Sequence, residues 1–177
     1  MSDSPEDTGL KRRRMAFFTL VAVWLALDLA SKVWLFALLG APDSPAPGGP
    51  YGQIKLLDGF FQLSGQVNAG AAFGLGSGHR WAVLGLSALL LPILTAMALR
   101  EREKGAPLWA LGAVVGGALG NLHDRVFETG VRDFLEIVKP WAPDETLWPV
   151  FNVADIGIVG GMAVYFMWAM MHKPIKN

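Results

Sequence analysis

The chain contains no cysteine, which rules out disulfides, thiolate metal ligands and a thiol nucleophile. Histidine is nearly as scarce. His79, His123 and His172 stand far apart in sequence, and the HExxH pattern of a zinc peptidase is absent. No GxSxG occurs, so the strand-to-helix elbow of a serine hydrolase has no sequence support. Charge is thin, at 17% of residues, against about 25% in a soluble domain. Fifteen acidic residues balance fifteen basic ones, so net charge gives no electrostatic footprint for nucleic acid, and none is expected as a partner. What the chain has in excess is hydrocarbon: 53% of its residues are hydrophobic.

That excess is gathered into four runs, residues 15–39, 81–99, 107–126 and 150–171. Each is near the ~20 residues a helix needs to cross a bilayer. A soluble protein would have too little polar chain left to wrap four such helices. The first run has a basic start, as a signal peptide does. It is too long for a signal h-region and lacks a small-x-small exit before Pro42, so it reads as a retained helix. The expected fold is membrane all-α, one embedded domain over residues 1–177 with four transmembrane helices.

Basic residues orient it. Lys11 to Arg14 precede the first run, Arg100, Arg102 and Lys104 join the second to the third, and Lys173 and Lys176 follow the fourth. Four spans put all three groups, and both termini, on the cytoplasmic side. Residues 40–80 and 127–149 then lie outside. The first outer stretch opens with proline and glycine at 42–50, which is irregular chain. Residues 54–63 alternate weakly and suggest a strand or hairpin, and 67–74 another strand edge or a turn. Phe60, Phe61 and Phe73 suit an interfacial anchoring role. In the third run Gly112, Gly116 and Gly120 repeat at four-residue spacing, which lets helix backbones touch in lipid. Packing within one bundle is the simpler use of that stripe; a homodimer seam is the other.

Polar residues inside such runs are costly, roughly 2.5–3.5 kcal/mol at a helix centre on insertion scales. Asp28 and Lys32 share a helix face at i, i+4. They either neutralise one another or aim Lys32 at a lipid phosphate or a substrate carbonyl. Asn121, Asp124 and Arg125 close the third run. Asp124 has Arg125, Lys32 or a helix end as possible partners, and the planar fork of Arg125 suits a substrate backbone or carboxylate. Asp133 and Asp155 both fall near the outer edge on consecutive runs, so they can meet. At about 4 Å and an effective dielectric near 20, two carboxylates repel by roughly 4 kcal/mol, or about three pK units. One must then keep its proton while the other is ionised, which is the arrangement that activates water and polarises an amide carbonyl. The alternative is that each caps a helix or pairs with Arg125 or Arg132.

Five segments in order carry a resemblance: DLASK at 28–32, NAGAAF at 68–73, GGALGNLHDR at 116–125, VRDF at 131–134 and FNVAD at 151–155. Together they resemble bacterial lipoprotein signal peptidase, or signal peptidase II. The resemblance implies a four-helix inner-membrane aspartyl endopeptidase with a small extracytoplasmic β-cradle and a short amphipathic periplasmic helix, its site facing the periplasm. It implies Asp133 and Asp155 as the catalytic pair, with Asp28, Lys32, Asn68, Asn121, Asp124, Arg125 and Asn152 supporting them, and no metal or other cofactor. It also implies the partners: prolipoproteins whose cysteine already carries diacylglycerol, membrane lipid, and inhibitors of the globomycin type. A monomer is expected, with the glycine stripe used inside one bundle. The competing reading is a small transporter or channel, but it would need polar residues along the inner halves of the spans, where few occur. This chain departs from the family pattern at Arg132, which stands where an apolar residue is common and is expected to favour ionised Asp133. It departs again in the Trp-bearing stretch 139–149 and the extended 42–50 loop.

Overall fold

The computed structural model describes residues 5–41, 51–70, 80–101 and 105–172. Along the chain come α1 (Pro5–Leu38), β1 (Gln53–Leu57), β2 (Phe61–Asn68), α2 (Arg80–Arg100), α3 (Leu108–Phe127), β3 (Val131–Lys139), β4 (Ala142–Phe151) and α4 (Val153–Met171). Each of the four apolar runs falls on a helix, and α1 begins at Pro5, well before the run that starts at 15. α4 starts three residues later than expected, because Asn152 caps it.

α3 lies at the centre. The glycine stripe explains why: a Cβ on Gly112 would strike the backbone carbonyl of Phe17, and one on Gly116 would stand 2.7 Å from Val21 O and 2.9 Å from Trp24 Cβ. The stripe therefore seats α3 on α1 within one chain. Gly117 and Gly161 play the same part between α3 and α4, against the carbonyls of Ala154 and Ala110. Gly116→Ala is expected to destabilise by about 1–3 kcal/mol, since neither backbone can yield without parting the helices. Gly160→Ala, with open space around it, should leave the melting temperature in detergent unchanged. Equal melting curves for the two variants would contradict this packing.

Large apolar side chains face outward at helical spacing, among them Leu86, Leu89, Ile93 and Met97 on α2 and Val159, Met162, Phe166 and Met170 on α4. Such faces are unsuited to water and suited to hydrocarbon. Among the described residues, two helices are long and apolar enough to cross a membrane, Thr8–Leu38 and Val153–Met171, and Leu84–Arg100 is a shorter apolar helix. α3 does not reach that standard, because its glycines and its polar end from Asn121 to Arg125 dilute the run. At one end of the bundle Arg14 donates to Leu99 O at 2.6 Å and Arg13 to Ala106 O at 3.3 Å. The N-terminal cations thus tie down carbonyls around the α2–α3 connection, one of them among the last of α2, which its own helix leaves unpaired.

The described strands form one antiparallel sheet in the order β1-β2-β3-β4. Of the strand or hairpin expected over 54–63 the structure has the hairpin, turned at Gly59 with φ 70°, a conformation glycine adopts without strain. The Trp-bearing stretch 139–149 is mostly the second strand of another hairpin, β3–β4. Leu63, Val67 and Phe134 of the sheet pack on Leu35, Phe36 and Leu39 at the end of α1. This contact docks the sheet at the end of the bundle opposite Arg13 and Arg14. No fifth helix occurs among the described residues, so the short amphipathic helix has no counterpart there. Phe73 and the 42–50 loop, like Arg102, Lys104, Lys173 and Lys176, lie outside the described residues.

Candidate active site

Asp155 owes its place to a capping box. Asn152 accepts from the Asp155 backbone N–H at 3.0 Å, and Asp155 Oδ2 accepts from the Asn152 N–H at 3.1 Å. This reciprocal pair satisfies two donors at the start of α4 and fixes the carboxylate at its first turn. The other oxygen, Oδ1, accepts from Asn121 Nδ2 at 2.9 Å.

Asp133 comes from a strand, not from the end of a helix as the apolar pattern suggests. Its Oδ1 accepts from Asn152 Nδ2 at 2.7 Å and its Oδ2 from Asn68 Nδ2 at 3.3 Å. Asn152 therefore stands between the two acids, its backbone N–H on one carboxyl and its amide on the other. Asp133 is 4% exposed. Burial, and after it the negative charge of Asp155, push its carboxyl up to about 8. Asp133 thus holds a proton at neutral pH.

Around the pair runs a buried polar network. Lys32 Nζ lies 2.7 Å from Asp28 Oδ2, 3.0 Å from Asn121 Oδ1 and 3.3 Å from Asp124 Oδ2. Asn152 Nδ2 also reaches Asn121 Oδ1 at 3.0 Å. Two donors on that oxygen fix which way the Asn121 amide points, and so aim its NH2 at Asp155. Asp28 accepts from the Ala154 N–H at 2.9 Å, next to the capping box. Arg125 donates to Asn121 O and Gly70 O, both at 3.1 Å, and its charge acts on Asp133 and Asp155.

All nine residues singled out in the sequence thus join one cluster. Of the two uses open to Lys32 the structure has the neutralising one, fully buried against Asp28. Of the partners open to Asp124 it has Lys32, and it adds Arg132, which was not expected. Arg132 turns from Asp133 toward Asp124, since neighbouring strand residues point to opposite faces. It therefore does not hold Asp133 ionised. Sequence reasoning missed Trp24, whose Nε1 donates to Val153 O at 2.9 Å and ties α1 to α4. Its spacing, one turn before Asp28 and two before Lys32, was the available signal.

Comparison with known proteins gives the family and the fold. The family model described as signal peptidase (SPase) II matches residues 20–171. A lipoprotein signal peptidase of Syntrophomonas wolfei is 38% identical over 83% of this chain and 87% of its own. One from Mycobacterium avium is 33% identical over 90% and 81%, and one from Symbiobacterium thermophilum 36% over 86% and 93%. Two solved structures, each of a bacterial membrane enzyme, share the fold at 21% identity. Their TM-scores are 0.69 and 0.67, covering 91% and 89% of this chain and 93% of each of theirs. Between the protease and the transporter readings of these buried carboxylates, the family model decides for the protease. A match over more than half the chain, joined to relatives above 30% identity along most of their length, places the protein in the signal peptidase II family, whose members remove signal peptides from prolipoproteins.

Proposed function

We propose that Asp133 and Asp155 form the catalytic pair of an endopeptidase that cuts diacylglyceryl-modified prolipoproteins just before the lipidated cysteine. The observation that carries this is the Asn152 bridge, 2.7 Å to Asp133 and 3.1 Å to Asp155. Water between the acids gives a proton to the Asp155 carboxylate as its oxygen bonds to the scissile carbonyl carbon. Asp133 gives its proton to the carbonyl oxygen. In collapse the C–N bond breaks, the amine takes the proton from Asp155, and a hydroxyl proton of the intermediate returns to Asp133. No metal or cofactor enters these steps.

Asn68, Asn121, Asn152 and Arg125 hold the acids in place, and Asp28, Lys32 and Asp124 hold the frame. The setting is the inner membrane of a bacterium, crossed by all four helices of a single monomeric domain. Both termini lie in the cytoplasm and the acids face the periplasm, where globomycin-type inhibitors would compete. The acyl chains on the substrate cysteine stay in lipid and pin the cut site at the depth of the acids.

Detergent-solubilised protein incubated with a lipidated precursor should yield the free signal peptide and a product starting at the modified cysteine, read by mass spectrometry. An intact precursor would refute the reading. Because Asp133 must keep its proton, kcat/KM should fall as pH rises through about 8, the alkaline limb of an acid–base profile. A rate unchanged up to pH 10 would exclude Asp133 as the acid.

A further inference from the structure

We infer that Arg132 is a positioning residue for this reaction, setting the height at which β3 presents Asp133 to Asp155. The inference rests on the proposed role of the two acids. Its physical ground is that they come from different frames: Asp155 is fixed in the helices, through the α4 cap and Asn121 of α3, whereas Asp133 rides on the sheet.

The sheet itself locates Asp133 poorly. The β2–β3 register slips between Leu63 and Gln66, next to the Gln66↔Asp133 pair. On the other side β4 pairs with β3 only from Leu135 onward. Residues 131–133 are therefore laddered on one edge, beside an irregularity that leaves room for a shift along the strand.

Arg132 takes up that freedom. Its backbone N–H donates to Asp124 Oδ2 at 3.0 Å, its Nε to the same oxygen at 3.2 Å, and its Nη2 to Oδ1 at 2.7 Å. A planar guanidinium meeting a carboxylate at two points fixes direction as well as distance. Nη1 lies 3.7 Å from Glu128, just past the end of α3. The pair is buried, Asp124 wholly and Arg132 to 7% exposure. Asp124 is itself held by Lys32 of α1. The strand is thus clamped to α1 and α3 one residue away from the proposed acid. Two buried cations, Lys32 and Arg132, also face two buried anions, Asp28 and Asp124, so the clamp adds no net charge near the site.

The test is cleavage by Arg132→Met, which keeps bulk and loses the fork, and Arg132→Lys, which keeps charge and loses the second contact. Lys139→Met, at an exposed pair with Glu145, is the control. Rates are taken per folded molecule, with the folded fraction counted from the melting transition. Arg132→Met should lower kcat by about 100-fold, the effect of an ångström-scale misplacement, and Arg132→Lys by about tenfold. KM should stay within about threefold, since no substrate contact is removed. If the Met variant does not fold, the Lys variant decides. Normal kcat in the folded variants, or a change confined to KM or melting temperature, overturns the inference and leaves the acid pair untouched. Failure of the wild-type chain to cleave would instead remove the acid pair.

Discussion

Asp133→Asn should lower cleavage of a lipidated precursor by about a thousandfold or more, while leaving the protein at least as stable as before. Both halves follow from one environment. The carboxyl is buried beside the charge of Asp155, which holds it protonated up to about pH 8. An amide matches the size of the neutral acid and can still accept from Asn152, but has no acidic proton to give. Stability should diverge with pH. Between the ordinary value of 3.8 and about 8 the folded wild type binds a proton that the unfolded chain has released. Folding free energy therefore weakens as pH rises through that window and is strongest below it. Asparagine has no such slope, so the variant should gain on the wild type from pH 5 to pH 8. Asp155→Asn makes a useful contrast: an amide at Asp133 can keep the short bond from Asn152 and turn its NH2 to the longer Asn68 contact at 3.3 Å, whereas at Asp155 it must turn a donor toward Asn121 Nδ2 or the Asn152 N–H, both within 3.1 Å. Asp155→Asn should lose activity and also about 0.5–2 kcal/mol of cap. Melting curves at the two pH values, beside a cleavage assay, separate the cases. Residual turnover by Asp133→Asn near the wild-type rate, or parallel melting shifts for both variants, would sink the assignment.

Much of this arrangement was readable before any coordinates. The apolar runs mark four helices because hydrocarbon length is a strong signal. The glycine repeat marks α3 as a close-packed helix, though only the backbone distances tell that its seam is α1 within the same chain. The site residues were legible as types, since charge inside an apolar run needs a reason. Their partners were not. Arg132 follows directly before Asp133, yet the pleat sends it to Asp124; sequence adjacency suggested the opposite. The β3–β4 hairpin was hidden because β4 carries Pro143, Asp144 and Glu145, residues that strands disfavour. They are tolerated because β4 is the exposed edge of the sheet. The Asn152 bridge was out of reach for a further reason: it joins a strand to a helix cap, and no periodicity relates the two.

Lys32→Met should be the most destabilising single change at the site, by roughly 3–5 kcal/mol, because it leaves a buried charge unpaired. Lys32 has no exposed surface, and its ammonium lies within 3.3 Å of two carboxylates and the Asn121 carbonyl oxygen. Without it Asp124 still has Arg132, but Asp28 keeps only the Ala154 N–H. An uncompensated Asp28 sits where α1, α3 and α4 meet, with Gly120 against its carboxylate, so water cannot enter without separating the helices. The expected fall in melting temperature is about 10 °C. Removing the orphaned anion as well should recover part of the loss, so Lys32→Met with Asp28→Asn should melt above Lys32→Met alone. Activity per folded molecule should drop less than in Asp133→Asn, because Lys32 acts on Asp155 only by fixing the Asn121 amide. A melting point within a degree of wild type, or a double variant weaker than the single, would mean that this ammonium is not the charge that holds the three helices together.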